Sequence, residues 1–321
     1  MRPEKTLKVN AAILHGTLEM MPEMRYSERD IWRHCAALEA YMMREIPVSL
    51  VEDTVCALFL SACCEIGEDV LSLLEASLEK EESPFGREVL RQLIENDRLA
   101  AARSMPICQD TGMAVIFMEI GQDVHFVGGD VNEAIERGVR RAYRDGCFRA
   151  SVLTPLTRIN TRDNTPAIVH MKLVPGEQVT LTAAPKGFGS ENMSRLCMLT
   201  PAQGVEGVKD AIVESVRLAG GNPCPPVVVG VGIGGTAECA MMMAKHSLTR
   251  TCGAPSDDPE LAAMERELLA RINDLGIGPQ GLGGRTTALA VHIEQMPTHI
   301  AGLPVAVNMQ CHAARHKTAV I

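Results

Sequence analysis

Hydrophobic order along this chain sets in late. Up to about residue 42 only a weak helical pattern is visible, from Ser27 to Met43. From Val48 onward the pattern is regular. Val51, Val55, Leu58, Phe59 and Ala62 recur at the spacing of one helix face, and Val70, Leu73, Leu74 and Leu78 repeat it after Gly67. Phe85, Val89, Leu90, Leu93 and Ile94 predict a third amphipathic helix, entered through Ser83-Pro84. Strand-like segments follow at 113–120, 166–174 and 178–184, interrupted by a helix from Val131 to Arg144. Gly187 to Asn192 opens another helix, and Val205 to Leu218 forms a further one. Asn222-Pro223-Cys224-Pro225-Pro226 reads as a rigid turn running into Val227-Val228-Val229. Helices at Thr236–Arg250 and Pro259–Leu275 precede two last strands, near 286–294 and 303–309. With no repeat and no linker, the pattern predicts one α+β domain.

Composition narrows the class. At 321 residues and 46% hydrophobic, the chain can bury a large core, and with 3% aromatic residues but 18 Met that core is aliphatic and Met-rich. No apolar run approaches the ~18 residues of a membrane span, and Met1 to Met24 does not read as a signal peptide. A net charge of −9 argues against a nucleic-acid partner. It also means that an anionic substrate must be held by local Arg, Lys or metal against the global field. Eleven cysteines without a signal sequence point to a reducing, cytoplasmic setting, where thiols are core filler, metal ligands or nucleophiles.

The cysteines sort by their surroundings. Cys56, Cys63 and Cys64 lie on or beside apolar helical stripes and read as core filler. Cys108, Cys224 and Cys311 do not: each lies at the mouth of a β-segment, flanked by Pro, Gly, Asn or Gln, while Cys147 and Cys252 are weaker loop candidates. In Pro106-Ile107-Cys108-Gln109-Asp110-Thr111-Gly112 a thiol, an amide and a carboxylate are presented together between a helix and a strand. Alternatively, this is an ordinary loop with a buried cysteine and an Asp capping its own turn. Three separated loop thiolates suit a [4Fe-4S] cluster with one iron left open.

Two glycine motifs compete with that reading. Gly230-Val231-Gly232-Ile233-Gly234-Gly235 follows a strand and opens a helix, as a dinucleotide fingerprint does, with Asp257 downstream for a ribose. No second βα unit supports it, and the alternatives are a tight strand-to-helix turn or a helix N-terminus open to an anion. Gly278 to Thr287 looks like a phosphate cradle without the Gly-Lys-Ser/Thr ending; its backbone N–H groups could still hold a carboxylate, or it is simply a turn.

Several of these motifs together resemble the iron–sulfur hydro-lyases, that is, the class I fumarate hydratases and L-tartrate dehydratases, in their α subunit or N-terminal catalytic part. They are Cys108 to Gly112, Asn222 to Pro226 with Gly230 to Gly235, Gly276-Ile277-Gly278-Pro279-Gln280-Gly281, and Gln310-Cys311-His312-Ala313-Ala314-Arg315-His316. The resemblance implies a catalytic domain over 43–321, beginning at Met43-Arg44-Glu45-Ile46, with 1–42 an extension that is disordered or precedes the working start. It implies Cys108, Cys224 and Cys311 as ligands of a [4Fe-4S] cluster, and Gln109 and Asp110 in contact with substrate, Asp110 handling the proton of the leaving or attacking oxygen. Arg149 matches the family's carboxylate-binding arginine, Gly189 a backbone donor and His299 an active-site histidine. Gly189-Ser190-Glu191-Asn192 is closer to the fumarase turn than to the Cys-containing turn of tartrate dehydratases, which points to fumarate and malate over tartrate. Thr251 to Asp258 departs from the Arg-Pro loop usual in the α subunits. No base for the carbon-bound proton is evident, so the resemblance implies a β subunit that supplies it, in an assembly with two α chains such as α2β2.

Overall fold

The stripe Val51, Val55, Leu58, Phe59 and Ala62 becomes one face of helix α1 (Val48–Cys64) and is almost wholly removed from water. The computed structural model in which it is seen describes residues 43–321, of which Glu45–Ile321 form one compact unit; the extension expected at 1–42 lies outside the described residues. α1 packs on α4 (Val131–Asp145), and both cover a four-stranded sheet through Ile116, Met118, Ile135, Val139 and Leu181. Each such side chain contributes about 1.5–3 kcal/mol by leaving water. That sheet runs β10 (Lys317–Val320), β5 (Val179–Lys186), β2 (Met113–Gly121), β4 (Ile168–Val174), with β2 antiparallel to β5 and parallel to β4. β1 (Arg44–Pro47) pairs with β3 (Val124–Val127) in a separate two-stranded piece.

A second sheet is ordered β6 (Arg195–Leu199), β9 (Leu303–Gln310), β7 (Val227–Gly234), β8 (Ala288–Met296). The strand alternation of β7 decides what covers each face. Val227, Val229 and Val231 point to α6 (Gly204–Ala219) and α8 (Pro259–Asn273), while Val228 joins α2 (Glu68–Lys80) and α3 (Pro84–Arg103). Gly230 and Gly232 share the Val228 face, under α7 (Ala237–His246). A Cβ at Gly230 would stand 2.1 Å from the Ala244 carbonyl oxygen, and one at Gly232 would stand 2.1 Å from that of Ala240. The supposed dinucleotide glycines therefore let a helix backbone lie directly on a strand, and leave no room for a pyrophosphate.

The helices and long strands fall within a few residues of their predicted places, in an α+β fold. The helix expected from Gly187 is a single turn, α5 (Phe188–Glu191), because the chain then enters β6 to pair with β9. The helix expected to reach Arg250 ends at His246 and tightens into a 3-10 turn. No helix among the described residues is long and apolar enough to cross a membrane.

The glycine-rich run before β8 does hold a carboxylate, and it is the chain's own. Glu81, 2% exposed at the end of α2, accepts from Arg285 N at 3.0 and 3.1 Å and from Thr286 N at 2.9 Å. Ser83 N adds a further bond at 3.0 Å, and a Cβ at Gly284 would stand 2.7 Å from the same carboxylate. The run then supports the Cys224 turn: Gln280 donates to the Pro225 carbonyl from its backbone N at 2.8 Å and from Nε2 at 2.9 Å. Burial pushes the Glu81 pKa up, but the backbone N–H groups of Ser83, Arg285 and Thr286 outweigh it and hold the carboxyl below its ordinary 4.5. A pKa depressed by folding adds stability that is complete above the unfolded value and is lost as pH falls through the folded one. Glu81→Gln is expected to lower the unfolding free energy by roughly 1–3 kcal/mol near neutrality. Thermal melts of both proteins should converge as the pH drops below the unfolded carboxylate value; a gap that stays constant into acid would refute the charged cradle.

Candidate functional site

Three loops bring the unassigned thiols to one end of the second sheet. α3 ends at Ser104 in the left-handed region, φ 50°, and the chain is caught at once, with Ile107 N donating to the Cys63 carbonyl at 3.0 Å and Asn96 Nδ2 to the Ile107 carbonyl at 2.9 Å. That fixes Cys108. Cys224 is itself left-handed, φ 55°, its N–H bonded to the Gly221 carbonyl at 3.1 Å. Its own carbonyl accepts from His312 N at 3.3 Å, which ties the Cys224 turn to the residue after Cys311. Cys311 follows the last residue of β9, which lies opposite Val228, and packs with Ala100, Ile107 and Ala313 in a small apolar cluster.

The thiols feel one another. The Cys224 pKa is raised by burial and then by repulsion from Cys311 and Cys108; that of Cys311 is raised by burial, against the pull of Arg315 and Lys186. Cys63 and Cys252 behave differently: both are buried thiols pushed up to about 12 by burial, and they are core filler.

Among the described residues no three His, Cys, Asp or Glu side chains gather tightly enough to hold a metal ion. Cysteines on three different irons of one cluster do not converge on a single point, so the better test of fit is charge. A three-thiolate cluster brings net negative charge, and the protein has buried positive charge waiting beside these loops. Arg315, 3% exposed, donates from Nη2 to the Asp110 carbonyl at 2.8 Å, while its Nε and Nη1 are buried without a partner. Lys186, also 3% exposed, donates to Ser190 Oγ at 2.8 Å and to the Met309 carbonyl at 2.8 Å, with Glu191 at 3.5 Å. Burial lowers the Lys186 pKa to about 8, opposed by Glu191 and Cys311. An orphaned guanidinium close to Cys311 fits an anionic group held there.

The groups expected at substrate lie next to this end. Asp110 Oδ1 accepts from Gly112 N at 3.0 Å, so the residue does cap its own turn. Its Oδ2 also accepts from Phe188 N at 2.8 Å, which joins the cysteine loop to the turn carrying Gly189. A Cβ at Gly187 would stand 3.3 Å from that oxygen. Gln109 is exposed, with Oε1 3.4 Å from Cys108 Sγ. Arg149 is exposed and lines an open cleft of about 570 Å³ together with Asp110, Phe188, Asn192 and Arg158. Its carbonyl accepts from Thr111 Oγ1 at 3.1 Å, and Tyr143 Oη donates to the Thr111 carbonyl at 2.8 Å, so α4, the arginine segment and the cysteine loop form one hydrogen-bonded unit.

His299 is elsewhere. It is exposed in the turn between β8 and β9, with Ala301 N donating to its Nδ1 at 3.2 Å. Cys311 lies beyond the opposite end of β9, about 23 Å away along the strand at ~3.3 Å per residue. The structure thus gathers Cys108, Gln109, Asp110, Arg149, Gly189, Cys224 and Cys311 toward one end of the molecule and does not bring His299 to them within one chain. Arg315 stands in a sequence motif without a role, and Lys186 was not singled out; their signal was a basic residue closing or following an apolar strand.

Residues 52–320 match the fumarate hydratase (Fumerase) family. A Methanocaldococcus jannaschii protein provisionally named L(+)-tartrate dehydratase subunit alpha is 42% identical over 271 residues, 83% of this chain and 95% of that protein. The L(+)-tartrate dehydratase subunit alpha of Escherichia coli O157:H7 is 30% identical over 258 residues, 79% of this chain and 85% of that protein. By the extent of the family match and of these relatives, the chain belongs to the fumarate hydratase (Fumerase) family.

Proposed function

We propose that the chain is the catalytic α subunit of a [4Fe-4S] hydro-lyase interconverting fumarate and L-malate, with Cys108, Cys224 and Cys311 as the cluster ligands. A hydro-lyase α subunit of the fumarate hydratase and tartrate dehydratase type is the coarser statement, and both the family match and the relatives' names support it. The observation that supports the cluster is the orphaned Arg315 guanidinium and the buried Lys186, both of which pull down the Cys311 pKa, with Arg315 tied to the carbonyl of Asp110, a residue of the cleft that Arg149 lines. When bound, a cluster with one open iron supplies a Lewis acid for a substrate hydroxyl and carboxylate.

The chain's own residues do the rest. The Arg149 guanidinium takes a carboxylate in a charge-assisted, two-point pair and neutralises it. Asp110, fixed by Gly112 N and Phe188 N, holds its carboxylate at the cleft wall to pass a proton to or from the departing or attacking oxygen. Gln109 and the backbone of Gly189 orient the substrate from the two loops that Asp110 joins. Ser190 is buried against Lys186, so the Gly-Ser-Glu-Asn turn supports the fumarate reading by its resemblance and not by a contact with substrate. Tartrate is the second reading, favoured by the names of the relatives. His299 takes no part in this cleft within one chain. The carbon-bound proton needs a base on the opposite face, and we assign it to a β subunit that covers the open cleft, in an assembly built on two α chains.

Two outcomes test this. Serine at Cys108, Cys224 or Cys311 should each remove the bound iron and visible absorbance of anaerobically prepared protein, whereas Cys63→Ala should keep both; full iron in Cys224→Ser would end the assignment. Purified, iron-replete α chain should turn over L-malate negligibly until β is added. The pair should then be assayed on fumarate, L-malate and L(+)-tartrate, and preference for tartrate would replace the fumarate reading.

A further inference from the structure

We propose that Arg158 is a second carboxylate-binding residue of the cleft that Arg149 lines, and that it favours dicarboxylates over monocarboxylates. The proposal rests on the hydro-lyase reading and adds a residue that neither the sequence motifs nor the family resemblance singled out.

Arg158 sits on a long excursion between α4 and β4 that is held rigidly. Leu153 and Asn160 form an antiparallel bridge, and Thr154 N donates to the Ile159 carbonyl at 2.9 Å. Arg158 N donates to the Thr154 carbonyl at 3.0 Å, Ile159 N to Thr154 Oγ1 at 3.1 Å, and Thr154 Oγ1 also bonds Thr157 Oγ1. At the base, fully buried Asn164 accepts from Ser151 N at 2.7 Å and from Val152 N at 3.2 Å, and donates to the Gly112 carbonyl at 3.1 Å. The hairpin is thereby fastened to the loop that carries Asp110. Within it Arg158 is left-handed, φ 58°, a conformation costly for a residue with a Cβ and maintained here by the surrounding bonds.

Charge pairing separates the cleft arginines from those of α4. On adjacent α4, Arg137, Arg140, Arg141 and Arg144 each meet a carboxylate, at 2.7, 2.8, 2.6 and 2.8 Å. Arg149 and Arg158 line the same cleft, and neither guanidinium has a protein hydrogen-bond partner or ion pair among the described residues. The one carboxylate in the cleft wall, that of Asp110, is already engaged by two backbone N–H groups. In a chain of net charge −9, two unpaired guanidinium groups on one cleft make a local reversal of field that a dianion satisfies.

The experiment uses the α chain assembled with its β subunit. Arg158→Ala is expected to raise KM for the preferred substrate roughly ten- to hundredfold, as for loss of a hydrogen-bonded charge, with kcat changed less than about threefold. Arg158→Lys should recover part of the loss. Succinate and butyrate, as competitive inhibitors with two charges and one, supply the sharper readout: their Ki ratio should shrink several-fold in Arg158→Ala. An unchanged ratio overturns the proposal. So does loss of α–β co-elution in the variant, which would make Arg158 an interface residue. A wild-type complex inert toward fumarate, malate and tartrate alike would instead sink the hydro-lyase reading, a result that no Arg158 variant can imitate.

Discussion

One buried ammonium holds the two sheets to each other. Lys186 closes β5 of the first sheet, yet its Nζ donates to the carbonyl of Met309 in β9 of the second. Desolvating a lysine costs several kcal/mol unless it is hydrogen-bonded and matched in charge, and here Ser190, Met309 and Glu191 supply both. Glu191 is shared with Lys245 of α7 and with Asn308, so the same carboxylate also fixes the helix lying on β7 and β9. Arg315 repeats the device from the other direction, leaving β9 and reaching the Asp110 carbonyl before β2. The end of the molecule where the cysteine loops meet is therefore braced by two cations held out of water.

How far the sequence could be read follows from what each signal depends on. Helical periodicity and long apolar runs arise from burial, so α1 to α4 and the central strands were legible. β3, β6 and β10 were missed, being four or five residues long with exposed positions interleaved, too short for alternation to stand out. The glycines at 230 and 232 were ambiguous because close helix-on-strand contact and phosphate binding demand the same absence of Cβ. Cys108, Cys224 and Cys311 were distinguishable because their neighbours are turn-formers and not core residues. Lys186 and Arg315 were not, since a charged residue in a sequence is read as solvated unless something reveals its partner. His299 shows the converse limit: closeness to Cys311 in sequence became a full strand length of separation once β9 was laid between them.

The arrangement also sorts the chain's positive charge into two uses. On α4 the arginines are spent on neighbouring carboxylates of α1 and of the following loop, where ion pairs exposed to solvent are each worth well under about 1 kcal/mol. In the adjoining cleft the guanidinium groups have no such partner. The same residue type, a few positions further along the chain, thus passes from tying elements together to facing open solvent with its charge uncompensated, and that difference is set by the hairpin geometry, not by composition.

The Glu81 cradle has a kinetic side. Its bonds to Arg285 and Thr286 join positions 204 and 205 residues apart. The loop it fixes is the one that supports the turn at Cys224 through Gln280 and Pro225. Contacts of such long range must overcome the entropy of closing a large loop and become favourable only after the intervening sheet has formed. Loop-closure entropy therefore favours fastening the backbone that presents Cys224 after the local helices on either side have formed.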